Sequence, residues 1–176
     1  LKESIVGQDT AIDTICNNIK RHSTGISDSS RPIAVSLLCG PTGVGKTLMA
    51  KKIAKEMFGS ENNIIRIDMS EFSEKSSLSR LIGTSAGYIG FDSTNMLTDK
   101  VNENPYSLIL LDEIEKANDE VFNLLLQVFD EGRLTDGRGN TISFKNCIIL
   151  MTSNIGAKEN TFNKVNIGFT DTDRKS

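Results

Sequence analysis

The chain has 176 residues, 38% hydrophobic and 24% charged, the proportions of a single soluble globular domain with length enough for a sizeable core. Its net charge of −3, with Lys and Arg scattered rather than clustered, gives no electrostatic case for nucleic-acid or membrane-surface binding. No apolar run approaches the ~20 residues that span a bilayer, no signal-peptide pattern is present, and the single histidine, His22, excludes a histidine-based metal site and a Ser-His-Asp triad. The three cysteines, Cys16, Cys39 and Cys147, form no C-x-x-C pair and each sits in an apolar run. They read as small reduced core residues in a reducing compartment. The chain starts at Leu1 rather than Met, which reads as a piece of a longer protein.

In chain order, residues 1–8 form a lead-in, and Asp9 can cap a helix to about His22 with Ala11, Ile12, Ile15, Cys16 and Ile19 on its apolar face. A polar linker ends in Pro32. Ile33–Cys39 is nearly all apolar and reads as a parallel-sheet strand covered on both faces. A helix over Lys46–Phe58 ends at Gly59. A short strand over Asn63–Asp68 follows, then a helix from Ser73 or Ser76 through Leu81, closed by Gly83. The next loop, 83–91, holds three glycines with Tyr88 and Phe91, and either plugs the core or grips a partner. A helix covers roughly Asn95–Asn102. Tyr106–Leu111 is a buried strand ending in Asp112-Glu113. Asn118 or Asp119 caps a strongly apolar helix stopped by Gly132. Residues 133–144 carry a β-hairpin signal around Asp136-Gly137. Cys147–Thr152 is a last buried strand, and the remainder to Ser176 is polar. Strands alternating with helices predict an α/β fold with a parallel sheet.

The chemistry centres on Gly40-Pro41-Thr42-Gly43-Val44-Gly45-Lys46-Thr47, a Gly-x-x-x-x-Gly-Lys-Thr phosphate loop between a predicted strand and a predicted helix. Its glycines let the backbone approach phosphate oxygens, and its N–H groups with the helix N-terminus form an anion cradle. Lys46 supplies a charge for the β- and γ-phosphates and Thr47 a hydroxyl for Mg²⁺. Asp112 and Glu113 end a strand on the edge where open α/β sheets bind ligands. There Asp112 can orient Mg²⁺ and Glu113 can act as general base toward water. Asn154 ends the next strand at the same edge, where its amide either caps a turn or holds the water and senses the γ-phosphate.

With these three segments in order, the chain resembles the AAA+ ATPases, and more closely the second ATPase module of the Clp unfoldases, ClpC/ClpA-like. The added motifs are Asp68-Met69-Ser70-Glu71-Phe72, Gly87-Tyr88-Ile89-Gly90, Leu111-Asp112-Glu113-Ile114-Glu115-Lys116-Ala117, Leu124-Leu125-Leu126-Gln127, Gly132-Arg133-Leu134-Thr135-Asp136-Gly137 and Met151-Thr152-Ser153-Asn154. The resemblance covers about residues 4–169. It implies a P-loop three-layer sandwich with a mostly parallel central sheet and a β-hairpin insertion over residues 1–158, followed by a flexible tail, 159–176.

It further implies ATP and Mg²⁺ as ligands. Val6, Gly7 and the run Pro41, Thr42, Gly43, Val44, Gly45, Lys46, Thr47 and Leu48 line the nucleotide. Thr47 and Asp112 hold the metal, and Glu113, Lys46 and Asn154 are catalytic. Gly87, Tyr88, Ile89 and Gly90 form a pore loop that grips polypeptide substrate. Ile167, Gly168 and Phe169 match a hook that docks a ClpP-type peptidase. The implied protein is a homo-hexamer that unfolds and translocates polypeptides brought by adaptors, binding neither nucleic acid nor membrane. Its alternative is a stand-alone disaggregase. The Asn-, Ile- and Lys-rich composition fits an AT-rich genome, bacterial or plastid, and the expected compartment is a bacterial cytoplasm or a plastid or other organelle stroma. The sequence departs from the family at Ser85-Ala86, where Pro-Pro is common, and at Asn118-Asp119, where His-Pro is common. The family's arginine finger, last sheet strand and C-terminal lid would lie beyond residue 176, so a weakly active fragment is expected.

Overall fold

The computed structural model describes residues 9–25, 28–40, 43, 45–74, 77–83 and 97–155. Four strands, β1 (Ala34–Cys39), β2 (Ile64–Asp68), β3 (Leu108–Asp112) and β6 (Ile148–Ser153), form one sheet in the order β1-β6-β3-β2. Every pairing in it is parallel. In strictly alternating strands the two faces collect different residues. Ala34, Leu38, Leu108, Leu110, Ile148 and Leu150 face one core with Ile12 and Ile15 of α1 (Asp9–Ser23) and Met49, Ala50, Ile53 and Ala54 of α2 (Lys46–Phe58). Ile65, Ile67, Ile109, Leu111 and Ile149 face the other core. That core is closed by α3 (Leu78–Ile82), α4 (Leu97–Glu103), α5 (Asp119–Glu131) and the antiparallel hairpin β4 (Arg133–Thr135) and β5 (Thr141–Ser143). The result is the expected three-layer α/β sandwich with its hairpin.

Local chemistry explains the element limits. Asn118 caps α5 by accepting the Glu120 N–H at 3.0 Å, as a short polar side chain does for an orphan helix donor. Gly59 and Gly132 end α2 and α5 in left-handed conformations. The helix expected from Ser73 or Ser76 begins later than read. The segment after β2 enters a 3₁₀ turn over Met69–Phe72, because the Asp68 carboxylate accepts both the Ser70 N–H and its hydroxyl. The following helix starts only at Leu78.

The strand at 33–39 is not covered throughout. Among the described residues it lies at the end of the sheet, where Leu37 is 52% exposed and Cys39 is exposed. The core reading of the cysteines holds for Cys147, whose thiol burial pushes up to about 11, whereas Cys16 is half-buried. On α5, Val121, Leu125 and Val128 are buried, while Phe122 and Leu126 face outward. No helix among the described residues is long and apolar enough to cross a membrane.

Candidate nucleotide site

Parallel order brings the C-terminal ends of β1, β6 and β3 side by side, with Cys39 opposite Ser153 and Leu111 opposite Met151. Each strand then delivers one part of the site at that edge. β1 runs into the phosphate loop, β3 into Asp112-Glu113, and β6 into Asn154. This is the crevice where doubly wound sheets hold ligands.

Gly45 sits at φ 90°, immediately before α2, a conformation that side-chain-bearing residues rarely adopt. Lys46 begins the helix. Its ammonium donates to the Gly40 carbonyl at 2.6 Å, the Ser153 carbonyl at 3.1 Å and the Asn154 Oδ1 at 2.8 Å. All three partners are neutral oxygens. These neutral partners hydrogen-bond the ammonium without compensating its charge, which suits it to an anionic ligand.

Asn154 continues the chain of contacts. Its Nδ2 donates to Glu113 Oε1 at 2.9 Å. One amide therefore bridges the phosphate-loop lysine and the strand-end glutamate. Glu115 holds Asn154 from behind, accepting its backbone N–H at 3.1 Å. Burial alone would raise the Glu115 carboxyl. Donation by its own backbone N–H, the Asn154 N–H and the Ser153 hydroxyl outweighs that and holds it below the usual carboxylate range.

Glu113 is, among the described residues, the one non-glycine with positive φ, at 56°. A side chain in the left-handed region costs roughly 1–2 kcal/mol, and such strain persists where surrounding contacts enforce it. Here the Glu113 N–H donates to Thr152 Oγ1 at 3.1 Å, and its carbonyl accepts the Lys116 N–H at 2.8 Å. The same Thr152 hydroxyl donates to Asp112 Oδ1 at 3.0 Å. Asp112 Oδ2 accepts Arg66 Nε at 2.6 Å. A single buried hydroxyl thus fixes both acidic residues.

Asp112 at the end of β3 and Thr47 in the first turn of α2 offer hard oxygen donors, a carboxylate and a hydroxyl. That pattern suits Mg²⁺, which keeps waters and takes substrate phosphates beside one or two carboxylates. The residues fit a nucleotide with its magnesium ion.

Gly43, Gly45, Lys46, Thr47, Leu48, Asp112, Glu113 and Asn154 are described, and Lys46, Asn154, Glu113 and Asp112 form one connected group. Leu48 lies on α2 and is 46% exposed. Val6, Gly7, Pro41, Thr42, Val44, Gly87, Tyr88, Ile89, Gly90, Ile167, Gly168 and Phe169 lie outside the described residues, as does the boundary at 158. Sequence reasoning assigned no role to Thr152, Arg66 or Glu115. The signal for the first two was present: each is a polar residue interrupting an apolar strand, in phase with Asp112 on the α2 side of the sheet.

The family model described as AAA domain (Cdc48 subfamily) matches residues 31–175. Chaperone protein ClpB of Clostridium tetani is 52% identical over 172 residues, 98% of this chain and 20% of that protein. The ATP-dependent Clp protease ATP-binding subunit ClpE of Streptococcus pneumoniae serotype 4 is 54% identical over 156 residues, 89% of this chain and 21% of that protein. A solved structure, a closed-state reconstruction of Hsp104 with ATPγS and FITC casein, matches with a TM-score of 0.79 at 44% identity, covering 87% of this chain and 26% of that one. The chain spans about a fifth of the length of the curated relatives it matches. The match runs through the phosphate loop, both acidic residues and Asn154, and the chain belongs to the AAA domain family, Cdc48 subfamily, as a homologue of the Clp chaperones.

Proposed function

We propose that this chain is the ATP-hydrolysing module of a Clp-type machine that remodels polypeptides. The observation that carries the proposal is the bridge from Lys46 through Asn154 to Glu113 beside Asp112. Lys46 exchanges its neutral oxygen partners for phosphate oxygens, with the α2 N-terminus behind it. Thr47 and Asp112 hold Mg²⁺, which when bound neutralises phosphate charge as a Lewis acid. Glu113 takes the proton of the attacking water on a carboxylate oxygen, yielding ADP and phosphate. Asn154 orients that carboxylate and reports, through Lys46, on what occupies the phosphate loop.

In this reading the Lys46→Ala variant loses nucleotide affinity by at least tenfold, an effect of about 1.4 kcal/mol or more. Titration with a fluorescent ATP analogue checks it, and unchanged affinity would remove the phosphate-loop assignment.

The relatives support work on polypeptide, and the Gly87-Tyr88-Ile89-Gly90 motif supports Tyr88 as the gripping side chain. The outward Phe122 and Leu126, one turn apart on α5, support burial of that helix face against further protein, and the family resemblance supports a homo-hexameric ring. The three free cysteines and the bacterial relatives support a bacterial cytoplasm. The chaperone names of the ClpB relatives favour a stand-alone disaggregase. A second reading, delivery to a ClpP-type peptidase, is favoured by the Ile167-Gly168-Phe169 triplet in a polar tail, since short apolar anchors bind apolar pockets. The Phe169→Ala variant decides between them. On the second reading, co-sedimentation of the assembled protein with such a peptidase falls at least tenfold while ATP turnover stays unchanged. On the first, neither form associates.

A further inference from the structure

Asp112 is 8% exposed, and each carboxylate oxygen is taken by a different strand. Thr152 on β6 holds Oδ1. Arg66 holds Oδ2 from the opposite side, reaching forward from the middle of the edge strand β2, where it stands in register with Leu110, two residues before Asp112. The two partners differ in kind. The Thr152 hydroxyl is buried at 3% exposure and fixes orientation without adding charge. The Arg66 side chain is 60% exposed, against 12% for Asp112, and brings a full positive charge.

A nearly buried carboxylate with no cation is costly. An arginine with most of its surface in water can leave such a pair at little cost. We propose that Arg66 is the counterion of Asp112 before the metal arrives, and that it sets the Mg²⁺ concentration at which the nucleotide site loads. The inference rests on the nucleotide-site reading above. Arg66 acts only through Asp112, so it is a charge-balancing and positioning residue, not a catalytic one.

The sign follows from the division of labour. Removing Arg66 takes away a positive charge that opposes a divalent cation at the same carboxylate. It leaves Thr152 in place, so the carboxylate stays aimed. Metal loading should therefore become easier, not harder. The Asp68 carboxylate nearby does not substitute for Asp112, because it is engaged by Ser70.

The test titrates Mg²⁺ into the full-length protein carrying this chain, in the presence of a fluorescent ATP analogue. It reads the metal concentration at half-maximal change in nucleotide affinity, a readout independent of turnover. Affinity in excess chelator serves as the metal-free baseline. The Arg66→Gln variant should lower the midpoint roughly three- to tenfold, as expected for losing one competing charge at a partly exposed site. Arg66→Lys, which keeps the charge, should stay within about twofold of the unaltered protein on the same argument. A midpoint that Arg66→Gln leaves in place, or raises, overturns the proposal alone. Nucleotide binding that no divalent ion influences in the unaltered protein overturns the site reading, and this proposal with it.

Discussion

Replacing Glu113 by glutamine will separate nucleotide binding from hydrolysis. Glutamine keeps the size of the side chain and an oxygen that can accept from Asn154 Nδ2, the contact seen at 2.9 Å. It also keeps the backbone that Thr152 Oγ1 and Lys116 N–H hold in the left-handed conformation. It cannot take a proton from water. A positioned general base contributes about 10²–10⁴-fold to rate, so Mg-ATP turnover in the protein that carries this chain should fall by that factor. Nucleotide affinity should stay within about threefold, a change worth well under 1 kcal/mol. Turnover measured by phosphate release, beside affinity from a fluorescent ATP analogue, gives both numbers. Equal losses in both would mean that Glu113 shapes the binding site rather than the proton transfer. Retained turnover would assign the base elsewhere, Glu115 being the next carboxylate toward Asn154.

Much of this site was legible because its parts are local. The limits of α2 follow from Gly45 before Lys46 and Gly59 after Phe58, and the capped start of α5 follows from Asn118. The Asp112-Glu113 pair and Asn154 were legible from strand ends, since a parallel sheet collects such ends on one edge. What was hidden depends on lateral order, which no periodicity encodes.

Thr152 shows the same limit in another form. Alternation along β6 gives its face, but only the β3-β6 neighbourhood puts its hydroxyl against Asp112 and Glu113. Arg66 similarly reads as a solvated charge on a short strand until β2 is known to pair with β3. The 3₁₀ turn after Asp68 escaped because a side chain–backbone hydrogen bond, not hydrophobic spacing, builds it.

The largest stability effect is expected at Gly132, the left-handed residue that ends α5. Gly132 ends α5 at φ 63° and receives the Phe144 N–H on its carbonyl at 2.7 Å, which closes the hairpin. A Cβ built there would lie 1.9 Å from the Ser30 carbonyl oxygen and 2.8 Å from its carbon. That obstacle is backbone, and it is tied in place. The Ser30 N–H and hydroxyl both donate to Asp28 Oδ1, and Ile33 N–H donates to the Cys147 carbonyl at 2.9 Å. Gly132→Ala therefore meets two penalties, a left-handed side chain at roughly 1–2 kcal/mol and overpacking at roughly 1–3 kcal/mol. About 3 kcal/mol of destabilisation is expected, or a melting temperature lower by roughly 6–12 °C at 2–4 °C per kcal/mol for a domain of this size.

Gly139→Ala separates the two penalties. Gly139 has φ 87° and nothing within 4 Å of an added Cβ, so it carries only the conformational term. Thermal unfolding of both variants should show Gly132→Ala the lower by at least about 1 kcal/mol. Equal melting would mean that the segment at Ser30 yields freely. A larger drop for Gly132→Ala instead ties the end of α5 to the linker that enters β1.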